Sequence, residues 1–180
     1  MNFEILNNFF DKIFVVTLPR AVERQEHIRN ELKGLNYEFY FGEDKNKYTI
    51  EQLEEANIYD EKKARHFHRY NHPVTLGHIC CSWSHLHLYE KIVHENLQKV
   101  LIFEDDVILI KENCKYIGDI LNQLPQNWEL LYLGWEKHEQ ITFGLKVKQW
   151  FYHIQHITSF LKINHIQINN LYPQKYSPNL

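Results

Sequence analysis

Three consecutive carboxylates, Glu104, Asp105 and Asp106, follow the apolar run Val100-Leu101-Ile102-Phe103. A run of this composition is written for a buried strand, and charges placed at its end need partners. At the C-terminal end of a strand in an α/β sheet, where ligands bind, the natural partner is a divalent cation. Hard oxygen ligands favour Mg²⁺ or Mn²⁺, ions that also bind phosphates. The triplet therefore points to a metal-assisted nucleotide site. If the strand continues through it, Glu104 and Asp106 face one side and Asp105 the other. One carboxylate of such an acid-x-acid pair can hold the ion while the other orients a ribose or a water, and the ion neutralises a departing diphosphate. The alternative is a solvated turn of acids after a strand.

Three further groupings could carry chemistry. Thr17-Leu18-Pro19-Arg20-Ala21-Val22-Glu23-Arg24 runs from a strand into a helix. Helix-start amides can receive an anion, and Arg20 and Arg24, four apart, could clamp a phosphate or simply form a surface ladder with Glu23. In Gly77-His78-Ile79-Cys80-Cys81-Ser82-Trp83-Ser84-His85-Leu86, Gly77 suits a close backbone approach, and Ser84 with His85 is expected to begin a helix lining a nucleotide pocket. Six of the 12 histidines (His66, His68, His72, His78, His85, His87) crowd into one stretch beside Cys80 and Cys81. That density admits a Zn²⁺ site, although the spacings match no finger or ribbon pattern.

The elements needed to position these groups can be read from periodicity. Lys12–Leu18 reads as a buried first strand ended by Pro19, and Ala21–Leu32 as a helix with Val22, Ile28 and Leu32 on its apolar side. Gly34 is a C-cap, Tyr37–Phe41 a second strand, and Thr49–Ala56 a short helix capped by Thr49. Residues 60–73 are charged and lack apolar period, which predicts a loop. Ser82 or Ser84 is expected to cap a helix reaching about Glu95; Val100–Phe103 is the expected central strand. A helix over Asn113–Leu124 and a strand over Trp128–Leu133 ending at Gly134 complete the order. Strands alternating with helices predict an open α/β sheet with crossover helices.

The 180 residues suffice for one core, with 44% hydrophobic and 14% aromatic residues arguing for a packed globular chain. A net charge of -3 gives no reason to invoke nucleic acid. Three cysteines, two of them adjacent, make a poor disulfide framework and fit a reducing cytosol. The N-terminus has neither the basic region nor the apolar stretch of a signal peptide, and no run is long enough to span a bilayer. A soluble protein is expected. After Glu139 there is no Asp or Glu, while Lys146, Lys148, Lys162 and Lys175 accompany Trp150, Phe151, Tyr152, Ile154, Ile157, Phe160, Leu161 and Ile163. Such a segment either packs on the sheet or lies on an anionic membrane surface through residues 146–163. The change of character sets residues 140–180, a basic, aromatic amphipathic segment, apart from residues 1–139.

Taken in order, these blocks resemble glycosyltransferase family 25, the lipooligosaccharide galactosyltransferase family that also contains collagen galactosyltransferase domains. The Thr17–Arg24 segment is similar to the family's Asn-Leu-x-Arg-x-x-Glu-Arg block. Gly77, Ile79, Cys81, Ser84 and His85 match a Gly-Glu-Ile-Gly-Cys-x-x-Ser-His block, Glu104-Asp105-Asp106 an acidic strand end, and Trp128–Gly134 a later Trp-x-Leu-Leu-x-Leu-Gly block. The likeness spans roughly residues 12–135. His78, Cys80 and Trp83 depart from the pattern and bear on donor specificity.

The resemblance implies a GT-A-like, Rossmann-like nucleotide-sugar-binding sheet with flanking helices. It implies metal-dependent, inverting transfer of a hexose, typically galactose from UDP-galactose, to a bacterial surface-glycan acceptor, with Mn²⁺ or Mg²⁺ as cofactor. Leu18, Arg20, Arg24, Ser84, His85, Glu104 and Asp105 would then surround the donor, and Asp106 and Glu104 would hold the metal. The implied location is the cytoplasm, peripheral at the inner face of the membrane. The family's acceptor-side Gly-Thr-His-Ala-Tyr block has no match before Leu180, and the carboxylate-free tail offers no general base. A truncated, inactive nucleotide-sugar-binding or partner-binding module is therefore the alternative expectation.

Overall fold

A computed structural model describes residues 3–67, 73–134 and 142–157. The chain divides into two compact units, Met1–Cys114 and Lys115–Leu180. The first unit contains helix α1 (Glu4–Phe9), strand β1 (Lys12–Thr17), helix α2 (Val22–Glu31), strand β2 (Glu38–Phe41), helices α3 (Ile50–Glu55), α4 (Glu61–Phe67) and α5 (Leu76–His94), and strand β3 (Val100–Glu104). The second holds α6 (Ile117–Asn122), preceded by a 3-10 turn that begins at Cys114, and α7 (Phe143–Ile157).

The three strands among the described residues form one parallel sheet in the order β2-β1-β3. This is the α/β class expected from the alternating pattern. The centre, however, is β1 rather than β3. Ile13, Phe14 and Val15 are 2%, 1% and 0% exposed, a continuous buried run, whereas β3 lies at an edge and fully buries only Leu101. A strand covered on both faces needs consecutive apolar residues, and burying each such side chain contributes roughly 1.5–3 kcal/mol. Ile28 and Leu32 of the α2 region, Leu53 of α3 and Leu88 of α5 are equally buried parts of the core. Val22, expected on the apolar side of α2, is 63% exposed at the helix's first position.

Four other expectations are corrected. Residues 61–67 are helical, not a loop: Arg65 makes two hydrogen bonds to Glu61 one turn back, and the Asp60 carboxylate accepts from the Lys63 amide. Charge ladders and caps can build a surface helix without apolar period. Helix α5 begins at Leu76, capped by Thr75, whose hydroxyl accepts from the His78 amide at 3.3 Å; Ser82 and Ser84 lie inside it. The helix expected over Asn113–Leu124 is confined to Ile117–Asn122 after the 3-10 turn. Trp128–Leu133 is not a strand; Leu130 and Tyr132 are 71% and 81% exposed. Gly34 does serve a turn, with φ +99°, two residues beyond the α2 C-cap Leu32. His68, His72, Phe160, Leu161, Lys162, Ile163 and Lys175 lie outside the described residues.

Candidate functional site

The strand order fixes where a ligand belongs. Chain connections leave β1 toward β2 on one side and reach β3 on the other, so the topological switch point, the usual ligand position in open α/β sheets, lies at the C-terminal ends of β1 and β3. Thr17 and Leu18 close β1 at that place, and Glu104, Asp105 and Asp106 close β3. The residues singled out by type therefore meet at the switch point of the sheet.

Within the triplet the three acids have separate surroundings. Asp105 is 8% exposed; its Oδ2 accepts from the Thr17 hydroxyl at 2.7 Å and its Oδ1 from Arg24 Nη1 at 2.7 Å. Glu104 and Asp106 have side chains 62% and 64% exposed. Strand β3 ends at Glu104, so the condition under which Glu104 and Asp106 would share a side is not met. Glu104 stands 3.6 Å from His85 Nε2 on α5, while Asp106 stands 3.6 Å from Arg24 on α2. The buried acid ties the sheet to α2; the exposed two remain available to a ligand.

Both arginines are engaged but not exhausted. Arg20 makes a two-point contact with Asp44, Nε to Oδ2 at 2.5 Å and Nη2 to Oδ1 at 3.2 Å. This hydrogen bond, reinforced by the Asn46 amide, holds the Asp44 carboxyl below the usual range and raises the Arg20 guanidinium in turn. The Asp105 hydrogen bond likewise raises Arg24, which stays cationic throughout the ordinary pH range. The Arg20 and Arg24 side chains are 53% and 59% exposed, and a guanidinium carries five N–H donors, so each retains donors for a phosphate. Leu18 shapes the turn between them: its carbonyl accepts from the Ala21 amide at 3.0 Å and from Gln25 Nε2 at 2.9 Å.

Ser84 is buried and saturated. Its hydroxyl donates to the Cys80 carbonyl at 2.6 Å and accepts from the Glu43 amide at 2.7 Å. That contact pins the segment after β2 to α5, and it leaves no room at Gly42, where an added Cβ would meet Ser84 Oγ at 2.5 Å and Cβ at 2.8 Å. Gly42→Ala is expected to cost about 1–3 kcal/mol of stability through this overlap. A shifted denaturant midpoint checks it, and an unshifted one contradicts the packing.

Sequence reasoning did not single out Glu43, Asp44 or Tyr48, and named His87 only as part of the histidine-rich stretch. Glu43 accepts from the Tyr48 hydroxyl at 2.5 Å and lies 3.3 Å from His87 Nδ1. Their signal was present: Gly42-Glu43-Asp44 follows a parallel strand, the same position that drew attention to the triplet after β3. Of the cysteines, all free, Cys80 is buried and Cys81 exposed. Desolvation of the sulfur, then the Glu104 carboxylate, push the Cys81 thiol up, so it is not an activated nucleophile. The histidines of that stretch form, among the described residues, no possible metal-ligand group with Cys80. Among the described residues, one group of possible metal ligands comes together: Cys81, His85 and Glu104, with ligand atoms all within 4.8 Å of one another.

The acids that end β3 and the Arg20 and Arg24 guanidiniums thus gather at one end of a parallel α/β sheet. The profile of glycosyltransferase family 25 (LPS biosynthesis protein) matches residues 10–176, and the chain belongs to that family. It is 30% identical over 131 residues to procollagen galactosyltransferase 2 of Homo sapiens, covering 69% of this chain and 21% of that protein. Over 107 residues it is 31% identical to the lipooligosaccharide biosynthesis protein lic2B of Haemophilus influenzae, covering 59% of this chain and 37% of the other. It is also 27% identical over 131 residues to the inactive glycosyltransferase 25 family member 3 of Mus musculus, with 69% and 22% covered. The chain thus spans only a fifth to two-fifths of the length of these relatives.

Proposed function

We propose that this chain binds the nucleotide-sugar donor of a hexosyl transfer, galactose from UDP-galactose, to a glycan or glycolipid acceptor of the bacterial lipooligosaccharide type. The reading is carried by the position of the acidic triplet at the switch point of a family 25 sheet. The sheet is read as the donor half of a GT-A-type fold within residues 1–139. Arg24, beside two carboxylates yet with donors to spare, and Arg20 would receive the diphosphate. Leu18 and His85 would border the nucleotide, while Ser84 and Asp105 hold the surrounding backbone and Arg24 in place.

Glu104 and Asp106, both exposed carboxylates, are the hard oxygen donors that fit Mg²⁺ or Mn²⁺. Such an ion, when bound, would neutralise charge on the departing nucleotide diphosphate. Likeness to procollagen galactosyltransferase 2 supports galactose, and likeness to lic2B supports the acceptor class. The test is UDP release from UDP-galactose, with and without a lipooligosaccharide acceptor. Turnover supports transfer. Binding without turnover supports the second reading, a nucleotide-sugar-binding module, which the likeness to the inactive family member 3 favours.

The location we propose is the cytoplasmic face of the membrane. No helix of the described residues is long and apolar enough to cross a bilayer. On α7, Phe143, Val147, Trp150 and Phe151 recur at helical spacing and are 83%, 47%, 63% and 55% exposed, with Lys146 and Lys148 on the same helix. An apolar stripe with lysines and no acids suits an anionic lipid surface. Trp150→Glu is expected to weaken co-sedimentation with phosphatidylglycerol vesicles by more than about tenfold, from lost apolar burial; unchanged binding removes the membrane contact from the account.

A further inference from the structure

We infer that Cys81, His85 and Glu104 form a second cation site, for a borderline divalent ion of the zinc class, coupled to the donor site through Glu104. Cys81 and His85 are four apart on α5, which places both side chains on one face of the helix. Glu104 ends β3 opposite that face, and the three ligand atoms lie within 4.8 Å of one another. In a tetrahedral zinc centre, bond lengths of about 2.0–2.3 Å put ligand atoms roughly 3.5 Å apart, a gap that side-chain rotation can close here.

The donor set decides the ion. One sulfur, one nitrogen and one oxygen suit Zn²⁺ or Co²⁺ and disfavour Mg²⁺ and Mn²⁺, which take oxygen. Two observations favour a ligand at this place. Of the adjacent cysteines, Cys80 is consumed by the core while Cys81 is exposed on the side that carries His85. His85 Nδ1 is sealed from solvent with no hydrogen-bond partner, one of two such buried side-chain atoms among the described residues. Buried polar atoms are normally satisfied; a ring not pinned at Nδ1 is free to turn a nitrogen toward an ion. On binding, the Cys81 thiol releases its proton as the sulfur–metal bond forms. The fourth position is left to water or a ligand.

Glu104 is also one of the two carboxylates proposed for the Mn²⁺ or Mg²⁺ of the donor site, so the two ions compete for it. This coupling rests on the proposed function; the zinc-class site itself does not. Co²⁺ titration of the purified chain should give a thiolate-to-cobalt charge-transfer band at one equivalent. Cys81→Ser should abolish the band, and Asp106→Asn should leave it intact. Removing a ligand should weaken Zn²⁺ binding by at least the roughly 10–100-fold that loss of a ligand's hydrogen-bond partner costs. On the unaltered protein, Zn²⁺ should protect Cys81 from alkylation, read by mass spectrometry. A band that survives Cys81→Ser, or alkylation of Cys81 unaffected by Zn²⁺, overturns the site. UDP-galactose binding in Mn²⁺, measured in parallel on Asp106→Asn and Cys81→Ser, separates the two ideas. Loss in the first alone supports both; retention in both overturns the donor reading while leaving the zinc-class site standing.

Discussion

Asp106→Ala is expected to lower the affinity for UDP-galactose in Mn²⁺ by about 100-fold, judged from the 10–100-fold cost of disturbing even the partner of a metal ligand. The loss should come without a folding defect. The Asp106 side chain is 64% exposed, and its ion-pair contact among the described residues is with Arg24 at 3.6 Å. Exposed pairs of this kind contribute about 0–1 kcal/mol. Calorimetry and a denaturant melt on the same preparation therefore separate a lost ligand from a lost fold. A variant that keeps its affinity in Mn²⁺ would remove Asp106 from the site.

Asp105→Ala has the opposite signature. The carboxylate is 8% exposed and joins the end of β3 to the end of β1 through Thr17 and to α2 through Arg24. Without it the Thr17 hydroxyl, in a residue only 3% exposed, is left without its acceptor, while Arg24 turns to solvent. Hydrogen bonds to charged groups contribute about 1.5–3 kcal/mol, and stranding a buried partner adds to that. A loss of about 2–4 kcal/mol is expected, a large share of a typical 5–15 kcal/mol. Asp105→Asn keeps the volume and an acceptor for Thr17 but gives up the ion pair, so it should recover roughly half. The same midpoint for wild type and Asp105→Ala would show that the strand ends are not joined this way.

The contrast between neighbouring residues explains what the sequence could and could not reveal. Chemical type and strand context were enough to mark Glu104, Asp105 and Asp106 as a site, because charge after an apolar run demands a partner. Which acid would turn inward was not legible, since it depends on where β3 stops and on Thr17 and Arg24 lying 88 and 81 residues away in the chain. Ser84 is a similar case. Its position in a family block marked it, but its contacts with Cys80 and the Glu43 amide follow from α5 beginning at Leu76, ahead of the serines.

For the fold, buried strands and apolar helices were readable because burial imposes a period. Helix α4 was not, because Glu61–Arg65 and Asp60 stabilise it on a charged surface. The exchange of centre and edge between β1 and β3 has a related cause. Both runs are apolar, and only the packing of helices on each face distinguishes them. Asp44 was overlooked since an acid pair after a short, half-exposed strand is unremarkable until Arg20 meets it at 2.5 Å.

Two arginines at the start of one helix thus link the ends of β2 and β3, Arg20 through Asp44 and Arg24 through Asp105. The linkage leaves Glu104 and Asp106 as the unconsumed acids at the end of β3, and it is these that a donor-bound cation would need. The most direct measurement is calorimetric titration of the unaltered chain with UDP-galactose, in Mn²⁺ and again after chelation. Saturable binding in Mn²⁺ that is lost with the metal is the predicted result; equal affinity in both conditions would contradict metal-dependent donor binding at the strand ends.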